Sequence, residues 1–322
     1  MAGRGLAALA ALLGGLGLSA MSGTAPAQDR TTVVLGTATP GGGFPVYGAA
    51  YAETVNEFEP TLQVTTRNTR GSTENIPLLE AGQLDIALVQ GEAGHEALAG
   101  IGRPPAKLLV VAAMYSSPGM FVVRADSPAK SIRDLVGKPV AFGARGSGLV
   151  ILSRYVLDGL GLDQNRDFQA IYLDKAGDGP AMVQDGRAAA LWGGGIGWPG
   201  FATMAKSPGG ARFIAPDAEE IRRILARHDF LKPLSVPAGV YPGQGAPIHS
   251  VGSWSFVMAR PTLPDEVAYK LMRAVHKGEA AIARRLPQAS ETTAANTANA
   301  VPRIGLLHPG AAKYLREAGL LR

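Results

Sequence analysis

Thr31-Thr32-Val33-Val34-Leu35-Gly36-Thr37, followed by Ala38 to Gly43 (ATPGGG), decides how the chain is read. The β-branched, apolar run has the length and composition of a buried strand. Pro40 and the three glycines after it mark a loop. From Phe44 to Phe58, Val46, Ala49, Ala50 and Val55 recur at helical spacing. Leu62 to Thr66 is a second strand, Gly71 to Leu79 a helix ended by Gly82, and Leu84 to Gln90 (LDIALVQ) a third strand. Strands alternating with helices at this spacing predict an α/β fold with a mostly parallel sheet.

The pattern returns further along. Gly119 to Arg124 reads as a strand, Val140 to Gly143 as another, and Ala144 to Gly148 (ARGSG) as a small-residue loop before a helix over Leu149 to Leu160. Ala170 to Leu173, Gly179 to Gln184 and Ala188 to Trp192 continue as strand, helix, strand. Gly82-Gln83-Leu84 and Gly186-Arg187-Ala188 occupy matching places, so two similar α/β lobes are expected. Ser253 to Ala259 echoes Gly119 to Arg124, and these two segments are the candidate crossings between lobes. Asp265 to Leu286 and Pro309 to Leu321 are read as closing helices.

Composition narrows the function classes. The chain has 322 residues, no cysteine and a net charge of +5. Absence of cysteine excludes disulfides, thiolate catalysis and a cysteine-linked lipid anchor. The basic residues are scattered, so no nucleic-acid partner is expected. Arg4, the apolar run Leu6 to Leu18 and Ala25-Pro26-Ala27 form a secretory signal over residues 1–27, which predicts export to the periplasm. No twin arginine is present, favouring the Sec route.

Enzyme signatures are sparse. Gly36 and Gly41 have phosphate-loop spacing, but no lysine follows. No serine sits in a G-x-S-x-G elbow. The five histidines are spread from His95 to His308 without ligand spacing, so neither a metal nor a cofactor is expected. Two helix starts stand out instead: Gly71-Ser72-Thr73 and Gly146-Ser147-Gly148. Free backbone N–H groups and the positive end of the helix dipole suit an anion there. Simple capping by Ser72 and Ser147 is the alternative. At the carboxyl ends of parallel strands, such starts would face one another across a cleft.

The chain resembles the TAXI-type solute receptors of tripartite ATP-independent periplasmic (TRAP) transporters. The matching stretches are LGTATPGGGFPVYGAAYAETVN from Leu35, RGSTENIPLLEAGQLDIALVQGEAGHEAL from Arg70 and DLVGKPVAFGARGSG from Asp134. SFVMARPTLPDEVAYKLMRAV from Ser255 and LHPGAAKYLREAGL from Leu307 complete them. The resemblance implies a type II periplasmic-binding fold, with lobe I at 28–118 plus 259–322 and lobe II at 119–258, joined by a two-strand hinge. It implies a small carboxylate ligand, glutamate- or glutamine-like or a dicarboxylate, a monomeric receptor, and a TRAP-type permease as partner. Carried over by position, Thr37, Gly43, Phe44 and Tyr47 line one wall. Ser72, Thr73 and Asn75 meet a carboxylate with Gln90 beside them, and Gly146, Ser147 and Gly148 close from lobe II. Arg145 and Arg70 are candidates for a second carboxylate, and Trp192 or Trp198 for an aromatic lid. The chain departs from the family at Ala189 and in the glycine-rich segment Trp192 to Pro199. A tricarboxylate-transporter type receptor, a sensor docking on a membrane kinase and an enzyme on the same fold are the rival readings.

Overall fold

The computed structural model describes residues 30–322, so the signal-peptide expectation for 1–27 lies outside the described residues. Ten strands form one continuous, strongly divided sheet. They are β1 (Thr31–Gly36), β2 (Leu62–Arg67), β3 (Ile86–Gln90), β4 (Leu109–Arg124), β5 (Pro139–Ala144), β6 (Gln169–Leu173), β7 (Ala190–Gly194), β8 (Ala211–Ile214), β9 (Lys232–Val236) and β10 (Ile248–Ala259). The helices are α1 (Gly43–Phe58), α2 (Ser72–Glu80), α3 (Gly91–Ala99), α4 (Gly148–Gly159) and α5 (Gly179–Gln184). They continue as α6 (Pro199–Ala205), α7 (Ala218–Arg227), α8 (Asp265–Arg285), α9 (Ala294–Ala300) and α10 (Pro309–Glu317). Among the described residues no helix is long and apolar enough to cross a membrane.

The strand order repeats itself. β2-β1-β3 run parallel, and β10 closes against β3 antiparallel. β6-β5-β7 run parallel, and β4 closes against β7 antiparallel. Each half therefore needs a helical crossover after each parallel strand, which is why strands and helices alternate in the sequence. Two apolar cores result. One gathers Val33 to Tyr115 together with Phe256 to Leu315, the other Met120 to Val251. The bodies around them are the two lobes.

β4 and β10 belong to both halves. Over Leu109 to Ala113 and Phe256 to Ala259 they pair with each other inside the first lobe, while Gly119 to Arg124 turns to β7 and β8 in the second. The handover falls at Ser116 to Pro118, opposite Gly252 to Trp254. Proline has no N–H to give a ladder, so it fits where a strand changes partners. The sequence predicts a first crossing strand beginning at Gly119; the structure begins it ten residues earlier, because Ser116 to Gly119 is a pairing switch within one strand.

Candidate functional site

The two lobes meet along a seam, and a cavity of about 40 Å³ lies inside it. Three helices begin at its wall: α1 at Gly43, α2 at Ser72 and α4 at Gly148. The first-turn N–H groups of a helix have no acceptor within that helix. Helix starts from both lobes come close enough that a Cβ on Gly148 would lie 3.1 Å from the Ser72 hydroxyl oxygen. Gly71 holds φ at +116°, and a Cβ there would stand 2.8 Å from the Gly146 carbonyl oxygen. A side chain at Gly71 would thus be strained by its own backbone and would push the lobes apart.

The expected residues separate into two groups. Gly43, Phe44, Ser72, Gln90, Ser147 and Gly148 border the cavity, as does Arg70. Thr37 and Asn75 lie behind its wall: the Asn75 amide donates to the carbonyls of Thr37 and Leu88, both at 2.8 Å. They hold the loop after β1 against α2 and β3. Tyr47 is fully buried, accepting a hydrogen bond from Thr292 at 3.2 Å. Thr73 and Gly146 bond to each other in the seam outside the cavity. Arg145 is exposed and turns to the Tyr172 ring, 5.8 Å from its centroid, away from the cavity.

Trp192, expected at the ligand, does not border the cavity. Its indole is fully buried in the second core, donating to the Leu149 carbonyl at 2.8 Å and packing edge-on to Phe121. Trp198 takes the place at the wall. Every residue of β7 is buried on both faces, so alternation along the strand does not distinguish a core tryptophan from a lining one.

Tyr115 and Ser117, on the crossing part of β4, also border the cavity and have no signature in the sequence. Burial pushes the Tyr115 phenol well above its ordinary pKa, which keeps it a neutral donor. A Cβ at Gly43 would meet the Tyr115 hydroxyl and the Trp198 ring at 3.3 Å each, so phenol, indole and the start of α1 converge. The Ser72 hydroxyl accepts from the Gln90 N–H at 3.0 Å, and the Ser147 hydroxyl from the Leu149 N–H at 3.2 Å. Ser147 therefore caps α4 as well as lining the wall, whereas Ser72 caps nothing and ties the start of α2 to the end of β3.

Two features give the cavity its electrostatic character. Among the described residues Arg70 is the one charged residue that lines it, 77% exposed and 3.3 Å from Glu74, and no carboxylate does. The side-chain amide nitrogen of Gln90, a residue only 3% exposed, has no hydrogen-bond partner. A buried donor left unpaired costs about 1–3 kcal/mol. The wall thus carries one cation, no carboxylate and one unpaired buried donor, an arrangement that suits a small oxyanion.

Residues 35–319 match the model of the NMT1-like family. The chain belongs to that family. The NMT1-like chain is similar to the periplasmic aliphatic sulphonate binding protein SsuA from Escherichia coli, 19% identical, covering 89% of this chain and 83% of that one at a TM-score of 0.50. It is similar also to a protein of Bordetella bronchiseptica RB50 (16%, covering 90% and 98%, TM-score 0.53). A structure described as a periplasmic transporter gives 15% identity, coverage of 82% and 88%, and a TM-score of 0.55. These likenesses carry the fold: the NMT1-like chain has the two-lobed, type II periplasmic solute-binding architecture that the sequence predicts.

Proposed function

We propose that the chain is an exported solute receptor that holds a small carboxylate in the interlobe cavity and delivers it to a membrane permease. Lobe I is taken as residues 28–118 with 259–322, lobe II as 119–258, swinging about the paired crossing strands. The permease partner is of the TRAP type, the receptor of the TAXI type and its place the periplasm, on the strength of the sequence resemblance. The ligand is a glutamate- or glutamine-like acid or a dicarboxylate. One observation supports this reading above the others: three helix starts from two lobes open on one cavity that no carboxylate lines. A ligand touching both lobes favours the closed arrangement by its differential affinity for closed over open.

Thermal unfolding of the purified protein against amino acids and mono-, di- and tricarboxylates tests the reading. A ligand that binds only the folded state adds RT ln(1 + [L]/Kd), about 2.7 kcal/mol at a hundredfold excess over Kd. A shift with one acid supports the assignment. Alkanesulfonates belong in the panel because the same donors suit any small oxyanion. No shift with any acid would overturn the carboxylate assignment.

A further inference from the structure

A second and larger cavity lies on the other face of β10. Successive side chains of a strand point to opposite faces. Ser255 turns to Ser117 at the wall of the interlobe cavity, hydroxyl to hydroxyl 3.4 Å. Trp254, Phe256 and Met258 project the other way, into a groove of about 570 Å³. Sites for small molecules have volumes of roughly 300–1,000 Å³ and mostly apolar walls with a few polar groups. The groove draws on both lobes. Leu98 and His95 of α3 supply one bank, and Phe230, next to β9, supplies the other. The His95 and Phe230 rings lie flat on one another, centroids 4.0 Å apart at 4°, so a stacked pair with one ring from each lobe bounds the space.

The charged residues that line the groove are both cations, while the Glu96 and Asp229 carboxylates stand behind the His95 bank. Lys232 and Arg303 line it, both exposed, and no carboxylate does. The Lys232 ammonium donates to the Asp229 carbonyl at 3.3 Å, and among the described residues neither cation is in an ion pair. An apolar body between Trp254 and Phe256 removes aromatic surface from water, while an acid group at the mouth meets two uncommitted cations.

We propose that this groove binds a small amphipathic monoanion, an aromatic or short-chain aliphatic acid, independently of the interlobe cavity. Its apolar part covers Trp254 and Phe256, and its acid group sits between Lys232 and Arg303. An occupant that touches Phe230 and Lys232 on one lobe and Trp254 on the crossing strand favours the lobe arrangement it fits.

Calorimetric titration of the purified protein with phenylbutyrate tests this, with phenylbutanol as the uncharged body of the same shape. The expected result is saturable binding of the acid, with the alcohol at least about tenfold weaker. The double variant K232E/R303E, changed only at exposed positions, loses the preference for the acid and keeps its thermal midpoint. Trp254→Ala weakens acid and alcohol alike. Absence of saturable acid binding, equal affinity for acid and alcohol, or an undiminished acid preference in the double variant would each overturn the assignment.

Discussion

Thr73 of α2 donates twice to Gly146 at the opposite lobe, through its backbone N–H at 3.2 Å and its hydroxyl at 3.1 Å, both to one carbonyl oxygen. A carbonyl has two lone pairs, so the two bonds are compatible. Thr73→Val keeps the shape and the N–H and removes the hydroxyl bond. A hydrogen bond of this kind is worth about 1 kcal/mol net. The variant is expected to bind the cavity ligand about fivefold more weakly by calorimetry, since closure contributes to affinity and the seam is weaker. Unchanged affinity would show that the seam does not contribute to the closed state.

Gln90 gives a sharper prediction because its buried amide nitrogen makes no hydrogen bond of good geometry, although it lies near enough to favour the Glu92 carboxylate. Gln90→Leu therefore removes a buried, unpaired donor and leaves the Ser72–Gln90 backbone bond intact. Stability is expected to hold or rise. Ligand affinity is expected to fall at least tenfold, because a hydrogen bond to a charged group is worth about 1.5–3 kcal/mol. Paired measurements of urea unfolding and ligand binding separate the two effects.

Glu92, in the first turn of α3, has both carboxylate oxygens buried without a partner. Burial pushes its pKa from 4.5 up to about 7, against the pull of the nearby Ser253 hydroxyl, its own backbone N–H and the Gln90 amide, with the charge of Glu96 adding a smaller push upward. Between those values the folded protein binds more protons than the unfolded chain, so stability falls as pH rises through that window and levels off above it. Glu92→Gln cannot ionise. It is expected to stabilise the protein by up to about 3 kcal/mol well above pH 7 and to change little near pH 4. Urea unfolding at the two pH values measures the difference. A variant with unaltered pH dependence would mean that Glu92 is solvated or paired.

Trp192 should behave as core and not as wall. Trp192→Phe removes the bond from the indole to the Leu149 carbonyl and leaves part of the volume empty. A loss of about 2–4 kcal/mol is expected on urea unfolding, from the cavity and the unpaired carbonyl together. Ligand affinity of the folded fraction should stay within about twofold of the parent, a difference below about 0.5 kcal/mol. Trp198, which packs edge-on to Phe201 in the same core and also borders the cavity, should differ: Trp198→Ala is expected to lower stability by about 3–5 kcal/mol and to weaken the ligand as well.

The parts of the fold legible from sequence are those whose physics is local. β1, α1 and the glycine loop between them announce themselves by β-branched residues, helical spacing and Gly-Gly-Gly, and the structure places them within a residue of expectation. α3 is different: Gly91 and Gly94 lower its helix propensity, yet Gly91 is needed because a Cβ there would run into the Ser253 hydroxyl and the Trp254 carbonyl of β10. The tertiary contact outweighs the local preference. The cavity shows the same division. Ser147 and Gly148 can be picked out because a capped helix start has a sequence signature, and Ser72 because it follows the glycine that opens α2. Tyr115, Ser117 and Trp198 cannot, since they reach the wall only through the crossing of β4 and the turn after β7. Their role depends on which chain segments meet, and no local pattern records that.

The seam beside the cavity has a main-chain group on at least one side of each bond, while farther out Glu96 joins the lobes through the Arg154 and Tyr155 side chains. The Gly146 carbonyl receives Thr73, the Pro40 carbonyl receives the Gly177 N–H at 3.4 Å, and the Ala176 N–H reaches the Thr39 hydroxyl at 3.2 Å. Main-chain groups carry the same donors and acceptors whatever the side chain, so the rim can be kept while the interior changes. The gate and the lock are then separate parts. Substitutions at Gln90, Tyr115 or Trp198 can retune which solute is accepted, while the edges that shut over it stay the same. A chain built this way can move from one solute to another without relearning how to close.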